Sequence, residues 1–590
     1  MRNRWLISTL ALAACAGSND QGAAGARLVA PQSLATVSQQ RPTLRWLSTE
    51  SAMPVVDLCA DRRCASPLAI KTEVAADHQS AVPTQALPAG WVYWRVRSGS
   101  VSSAATSATW QFWVGHASAT SPVDTSIGAV LDVNGDGRPD FLVGAPGQGG
   151  RVFLYLGTDH PSSADWNAAT SATRIELTSP DPTRLQFGYG VASAGDVNGD
   201  GYGDFLIGTR NALQPPGAVS LYLGGPTPRA EDWNGPTAPR RIDLTSPDGS
   251  ASVGSIVAGA GDVNGDGYAD FLVASESNGQ VPGTEIPVTT YVYFGSATPT
   301  ATAWSDPTSG ARVQLGAGGM VAAAGDVNGD GYSDFLVGDF SPNAPPSHLY
   351  FGEPAPKAID WNGEPTAPLR IDLISPDGID GLFGGAVASA GDVDGDGYSD
   401  FLIGASEAHS GVGAAHLYFG SAAPMPSDWN GMATPSKRVD LAAQHPAEAL
   451  FGASLAPAGD VDGDGRGDFL IGEPLAGGLL GIAHLYLGAG AGDPVTAWQG
   501  AAPTARIDLA NPIANNGDFG TGVAGVGDLN GDGYIDFVVS QFGVAELHLG
   551  VAQPSAASWS GATNAQRLDL TSPGIEGHQA NYGQQIAGGH

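Results

Sequence analysis

After its first dozen or so residues the chain has no long apolar run, only three of its 590 residues are cysteine, and its 26 Lys and Arg are set against 59 Asp and Glu. The first shortage excludes a further membrane-spanning helix, which needs about 20 apolar residues. The second leaves no zinc set, because no His or second Cys pair accompanies Cys59 and Cys64. The third gives a net charge of −33, which argues against nucleic acid or an anionic membrane surface as partner and for cations if the acids cluster. Catalytic signatures are missing too: there is no Ser-His-Asp spacing motif, nucleophile elbow or zincin helix, so no enzyme activity and no catalytic residue is assigned.

Glycine, by contrast, is abundant at 84 residues, and with 42 prolines it points to many tight turns. A chain of this length exceeds one ordinary core, so it is either several domains or one architecture that stacks small cores. Arg2 and Arg4 precede the short apolar run "WLISTLALAA", which stops at Cys15. Leu12-Ala13-Ala14-Cys15 resembles a bacterial lipobox. That resemblance implies a signal peptide over 1–14, lipidation of Cys15, a tether over 15–25, and a lipoprotein of the outer membrane or cell surface that meets the membrane only through its lipid. The alternative is a plain secretory signal. Cys59 and Cys64, an even pair in "CADRRC", suit a disulfide-closed hairpin in an exported protein.

Residues 26–116 alternate apolar and polar residues in short runs such as "PTLRW", "GWVYWRVRSGS" and "ATWQFWVG". They resemble a fibronectin type III-like or immunoglobulin-like β-sandwich with Trp46 and Trp94 in its core. Residues 117–126, small and polar, read as a linker.

Beyond the linker the chain repeats. Acidic nonapeptides begin at Asp132, Asp196, Asp262, Asp326, Asp392, Asp460 and Asp528, spaced 64, 66, 64, 66, 68 and 68 residues. Each is followed by an apolar strand such as "DFLIG", then a strand like "HLYFG", then "RIDL" or a close variant, with no helix-period segment. A four-stranded antiparallel unit at fixed period is the signature of a β-propeller, so the expected fold is all-β: a small sandwich followed by seven blades over 127–572.

Oxygen side chains at loop positions 1, 3, 5 and 9 converge on one centre. Glycine at position 6 permits the turn, and position 7 offers its backbone carbonyl. The expected ligands are Asp132, Asn134, Asp136, Arg138 and Asp140; Asp196, Asn198, Asp200, Tyr202 and Asp204; Asp262, Asn264, Asp266, Tyr268 and Asp270; Asp326, Asn328, Asp330, Tyr332 and Asp334; Asp392, Asp394, Asp396, Tyr398 and Asp400; Asp460, Asp462, Asp464, Arg466 and Asp468; and Asp528, Asn530, Asp532, Tyr534 and Asp536. Hard oxygens in this number suit Ca²⁺, up to seven ions, one per blade. An EF-hand would place a Glu at position 12. Here that position is apolar, Val143 or Ile207 for example, and lies in a strand.

"FLVGAP" at 141–146 and "FGYGVASAGDVNGDGYGDFLIG" at 187–208 resemble the FG-GAP repeats of integrin α-chain propellers and their bacterial relatives. The resemblance implies seven blades with calcium in the hairpin loop between first and second strands. The first repeat, "TSIGAVLD", and the fourth, "LGAGGMVAAAG", depart from the leading Phe-Gly. The tail over 573–590 ends in "NYGQQIAGGH", an opening strand without its acidic loop. It is expected to clasp the first blade, the alternative being an abandoned eighth repeat.

Each repeat carries one tryptophan before its fourth strand: Trp166, Trp233, Trp304, Trp361, Trp429, Trp498 and Trp559. Occurrence in every blade favours packing between blades over a ring of sugar-stacking platforms. His348, His416 and His484 recur on the third strand as strand-face residues rather than a catalytic cluster. Arg466-Gly467-Asp468 spells a tripeptide that adhesion receptors read, but its aspartate is loop position 9 and is expected to face the ion instead. The expected function is a calcium-stabilised, lipid-anchored surface propeller binding a protein or glycan, in adhesion or envelope assembly. The alternatives are a lectin or polysaccharide-active enzyme using the face opposite the calcium loops, with "ASESNGQVPGTEIPVTT" (274–290) as the loop to inspect, and a passive envelope scaffold.

Overall fold

In the computed structural model each apolar strand that leaves an acidic loop turns back twice, and the repeats become seven four-stranded antiparallel sheets. The structure describes most of the chain from residue 26 onward; residues 1–25, 98–105, 116–129, 182–185, 211–216, 246–252, 276–288, 340–345, 363–366, 444–448, 490–496, 513–516, 572–581 and several shorter stretches lie outside the described residues. Cys15, the linker over 117–126 and most of the loop at 274–290 therefore fall outside them.

The second blade shows the pattern: Phe187–Gly195, Asp204–Thr209, Ala218–Tyr222 and Arg241–Thr245, paired in that order. The first strands converge on the ring axis, which explains their small side chains. Ala192, Ala258, Ala388, Ala456, Ala524 and Ala587 line a narrow central channel. A Cβ on Gly190 would meet the Ser255 carbonyl of the next blade at 2.8 Å, so larger residues there would force the blades apart.

The stretch ahead of the first blade's own loop, up to residue 129, lies outside the described residues. The blade's innermost strand is Gln585–Ala587, antiparallel to Phe141–Ala145, with Ile586 opposite Val143. The end of the chain thus belongs to the first blade. This pairing removes two open sheet edges, each a template for association.

The repeats hold one element that their sequence pattern does not announce, a single helical turn before the fourth strand, as at Ala230–Trp233 and Pro426–Trp429. One turn is too short to display helical periodicity.

Residues 27–114 form two four-stranded sheets. One runs Arg27–Ala30, Leu44–Leu47, Ser80–Pro83, Thr72–Val74; the other runs Ala35–Val37, Trp110–Val114, Gly90–Arg97, Val55–Cys59. Trp46, Trp94, Trp110 and Phe112 share the core between them. Cys59 and Cys64 are joined in a disulfide.

Candidate metal centre

The acidic loops are wound around their own carboxylates. In the second blade Asp196 accepts the backbone N–H groups of Asp200 at 3.0 Å and Gly201 at 2.6 Å, and Asp200 accepts that of Tyr202 at 3.0 Å. Asn198 accepts from the Asp200 N–H and donates its amide to the Asp200 carboxylate at 3.2 Å. Asp204, at position 9, accepts from Val197 N–H and Gly224 N–H, both at 2.9 Å. The two carboxylates at positions 1 and 9 are buried in all seven loops, so each nonapeptide folds into a cup of inward-facing oxygens. Each position-9 oxygen spends one lone pair on the backbone and keeps another.

These cups fit a hard cation. Burial, reinforced by neighbouring aspartates, pushes Asp140, Asp204, Asp270, Asp334, Asp400, Asp468 and Asp536 well above the ordinary carboxylate range. Burial followed by the charge of Asp394 raises Asp392 to about 7, and burial raises Asp460 to about 7. The loops also differ in a useful way. Five place Asn at position 3, and its amide satisfies the carboxylate at position 5. The fifth and sixth place Asp394 and Asp462 there, which can donate nothing. Asp392, Asp394 and Asp400 then hold oxygens within 4.8 Å of one another, as do Asp460, Asp462 and Asp464. Asp392 Oδ1 is buried and accepts no hydrogen bond of normal length. A buried carboxylate oxygen of this kind needs a cation or a proton.

The cups are linked around the ring. The position-2 carbonyl of each loop accepts an N–H from the next blade: Val133 from Gly225 at 2.8 Å, Val393 from Ala489 at 3.1 Å, and Leu529 from Thr158 of the first blade at 3.1 Å. Tyr202, Tyr268 and Tyr332, at position 7, lie against Gly135, Gly199 and Gly265 of the preceding loop, where a Cβ would clash with the ring. Arg138 and Arg466 replace Tyr at this position. Arg138 pairs with Asp159, and Arg466 reaches Asp464 at 2.7 Å. In the Arg-Gly-Asp tripeptide Asp468 is wholly buried, with its two oxygens on Val461 N–H at 2.8 Å and Gly488 N–H at 2.7 Å. A receptor has nothing to read there.

The small sandwich rests on this same face. On Trp110–Val114, Trp110, Phe112 and Val114 point into the sandwich core. The alternate residue Gln111, fully buried, donates its amide to Asp132 Oδ2 at 2.6 Å. Arg62, held in the disulfide-closed hairpin, donates to the Asp200 carbonyl at 3.2 Å and lies 3.9 Å over the Tyr202 ring. Arg45 lies beside Gly331 of the fourth loop, close enough that a Cβ there would come within 3.0 Å of its guanidinium. Gln111, Arg62 and Tyr93, whose hydroxyl lies against Gly137 of the first loop, were not marked by their sequence pattern as docking residues. The available signal is "WVYW" and "WQFWV", which place a bulky aromatic in both phases, as suits a strand buried on both faces.

The seven blade tryptophans are core, each no more than 2% exposed. Trp233 stands edge-on to Phe205, which stacks on Tyr222, and its indole N–H donates to the Leu223 carbonyl at 3.0 Å. The following Asn234 accepts Thr178 N–H and donates to the Glu176 carbonyl, clamping the outer strand of the preceding blade. Asn362 and Asn430 repeat the clamp, and Asn167 makes it across the seam to Asp569 and Thr571. "DWNG" is therefore an inter-blade joint. His348, His416 and His484 each bond through Nδ1 to an aspartate of their fourth strand, Asp372, Asp440 and Asp508, at 2.7 to 2.8 Å.

Fold and site together define a seven-bladed propeller built of acidic-loop hairpins, and the comparisons with known proteins agree. The FG-GAP repeat matches residues 125–155, 187–222 and 383–418, and an FG-GAP-like repeat matches 262–337. Integrin alpha-IIb of Homo sapiens is 34% identical over 168 residues, 26% of this chain and 15% of that protein. Integrin alpha-4 of Xenopus laevis is 31% identical over 150 residues, 24% of this chain and 13% of that protein. Integrin alpha ina-1 of Caenorhabditis elegans is 32% identical over 163 residues, 25% of this chain and 14% of that protein. The matched stretches span less than a sixth of each relative. The matched repeats fall in the first five blades, so FG-GAP repeats build part of this propeller. Among the described residues no helix is long and apolar enough to cross a membrane.

Proposed function

We propose that this chain is a calcium-binding surface protein, anchored by lipid at Cys15, whose propeller captures a protein or glycan on the face opposite the acidic loops. The observation that carries the choice of face is the Gln111 to Asp132 hydrogen bond, with Arg62 on Asp200 beside it. The sandwich covers the loop face, so a partner finds the other end of the ring, where second strands meet third and fourth strands lead to the next first. In this reading the sandwich is an immunoglobulin-like module, its two sheets ordered as in such domains with a short first-strand extension running parallel to the last strand. It follows the tether directly, placing the calcium face toward the membrane and the capture face away from it. Calcium stiffens the ring, because each cup also holds the next blade.

The likeness to integrin α chains supports protein binding. The burial of all seven tryptophans removes the sugar-stacking ring on which a lectin reading would draw. The test is binding of the calcium-loaded mature chain to a glycan array and to labelled envelope proteins, repeated in chelator. Calcium-dependent binding that bulky substitutions on the opposite face abolish supports the proposal. A ligand blocked only by substitutions on the loop face, or no ligand at all, overturns it. Labelled fatty acid incorporated into wild type and absent from Cys15→Ser tests the anchor.

A further inference from the structure

Among the three blades with "HLY" on the third strand, the fifth is built differently. His416, buried, is held through Nδ1 by Asp440 at 2.8 Å. Its Nε2 is aimed at Asp377 Oδ2, also at 2.8 Å. Asp377 comes from the connection between the fourth and fifth blades, and its other oxygen, Oδ1, lies 3.6 Å from Nε2 of a second imidazole, His409. His409 belongs to the loop between second and third strands and is mostly exposed, with 62% of its side chain accessible. Two imidazole nitrogens and a carboxylate thus meet at the end of the ring opposite the acidic loops. The inner imidazole is oriented by a carboxylate on its far nitrogen, the arrangement that fixes tautomer and direction in histidine-ligated metal sites.

The sixth blade supplies an internal comparison. Its corresponding loop follows the same backbone path, with Gly477 and Gly478 at positive φ of 63° and 78°. The fifth blade holds His409 and Ser410 there at φ of 54° and 63°, a conformation that side chains other than glycine adopt rarely. His484 of the sixth blade meets Glu473 on its Nε2, and both are fully buried. That blade has a closed ion pair. The fifth has the same pair opened to the surface, with a second imidazole at its mouth.

We infer that His409, Asp377 and His416 form a binding site for a divalent transition-metal ion of the zinc class, distinct from the seven acidic cups. Two nitrogens and one carboxylate are the donors such ions select over calcium, which prefers an all-oxygen shell. Ligand atoms around a tetrahedral zinc ion stand about 3.3 Å apart, given bonds of about 2.0–2.2 Å. The two separations from the Asp377 carboxylate, 2.8 and 3.6 Å, lie on either side of that value, while the two imidazoles stand farther from each other than a bound ion allows. The exposed His409 swings inward to complete the set, the Nε2 proton of His416 leaves to solvent, and the fourth position stays open to water or to a ligand atom from a partner.

The test is a Zn²⁺ titration of the full mature chain by calorimetry in saturating Ca²⁺, so that the acidic loops are filled. One Zn²⁺ per chain is expected, weakened at least tenfold in His409→Ala and in Asp377→Asn and unchanged in His348→Asn, the corresponding histidine of the fourth blade. Co²⁺ should give the intense visible absorption of a tetrahedral site in the wild type and lose it in His409→Ala, a surface change that leaves the core intact. Equal Zn²⁺ affinity in wild type and His409→Ala, or equal weakening by His348→Asn, overturns the inference. Neither readout depends on whether the propeller has a partner.

Discussion

Gly467 donates its backbone N–H to the carbonyl of Asp392 at 2.8 Å, so the sixth acidic loop hangs from the first residue of the fifth. The same bond joins Gly203 to Asp132, Ala269 to Asp196, Ser333 to Asp262, Ser399 to Asp326 and Ile535 to Asp460. Pro139 stands at the corresponding position of the first loop and has no N–H to give. A change at one loop is therefore felt in the next blade.

Gly467→Ala tests how tight that contact is. A Cβ there would lie 2.7 Å from the Ala390 carbonyl and 3.1 Å from Asp392 N, both backbone atoms that cannot rotate away. Overpacking of this kind costs about 1–3 kcal/mol. The melting temperature should fall, and the wild-type chain should not compete for receptors that read Arg-Gly-Asp peptides. Competition at peptide-like affinity would mean that Asp468 leaves its buried place.

Calcium removal should lower the melting temperature and its return should restore it. An ion at one hundred times its dissociation constant stabilises by about 2.7 kcal/mol per site. Asp394→Asn and Asp462→Asn should raise the melting temperature in chelator by relieving the carboxylate crowding, and should lose that advantage in calcium. Identical melting curves with and without chelator would sink the calcium reading.

Trp429→Ala should destabilise by about 3–5 kcal/mol, the usual cost of emptying so large a buried site. Trp429 is fully buried, edge-on to Phe401, and donates to the Phe419 carbonyl at 3.0 Å. Denaturant unfolding measures the loss. A stable variant with lost glycan binding would restore the platform reading.

His484 should give the fold a pH dependence of known sign. Burial works against its charge, but Asp508 and Glu473 on its two nitrogens outweigh this and raise it above its ordinary value of 6.5. The other groups facing it are the rings of Phe451 and Tyr486, with Arg506 beyond on Asp508. A raised folded value means stability fully present below about pH 6.5 and lost as pH rises through the folded value. His484→Gln should be less stable by about 3–5 kcal/mol at pH 6, as expected when a buried pair loses one member, and should show a flatter profile above it. Parallel profiles for the two proteins would assign the titration elsewhere.

Much of the ring was legible because its information is periodic. Acidic nonapeptides, Trp before the fourth strand and "RIDL" recur at nearly constant spacing, and repeated blades turn each into a repeated position. What was not legible lies where the chain meets itself once. Gln111 reaches Asp132 across a domain boundary, and Asp377 and His409 meet from two different connections at one end of the fifth blade, pairings that no local pattern encodes. The role of Asn in "DWNG" was hidden for another reason: its bonds go to main-chain atoms of the neighbouring blade, which carry no sequence signal.

The seam is where the ring should fail first. The end of the chain is held by Gln585–Ala587 on Phe141–Ala145, by Tyr582 hydroxyl on Tyr155 hydroxyl at 2.6 Å, and by Gly583 N–H on the Gly144 carbonyl. The rim adds the Asn167 clamp onto Asp569 and Thr571, and the loop face adds Thr158 on Leu529. Removal of residues 582–590 strips the first group and leaves the other two. The first blade then exposes the inner edge of Phe141–Ala145, whose residues are all buried in the closed ring. An unpaired apolar edge pairs with another chain, so the truncated protein should associate with rising concentration and melt earlier, while Tyr582→Phe should cost only about 1 kcal/mol and stay monomeric. Adding Asn167→Ala to the truncation should lower the melting temperature further than either change alone, because only the Leu529 contact would then remain of these holds. Light scattering and thermal melting decide it. A truncated chain that stays monomeric with an unchanged melting temperature would show that the seam is closed by contacts other than these.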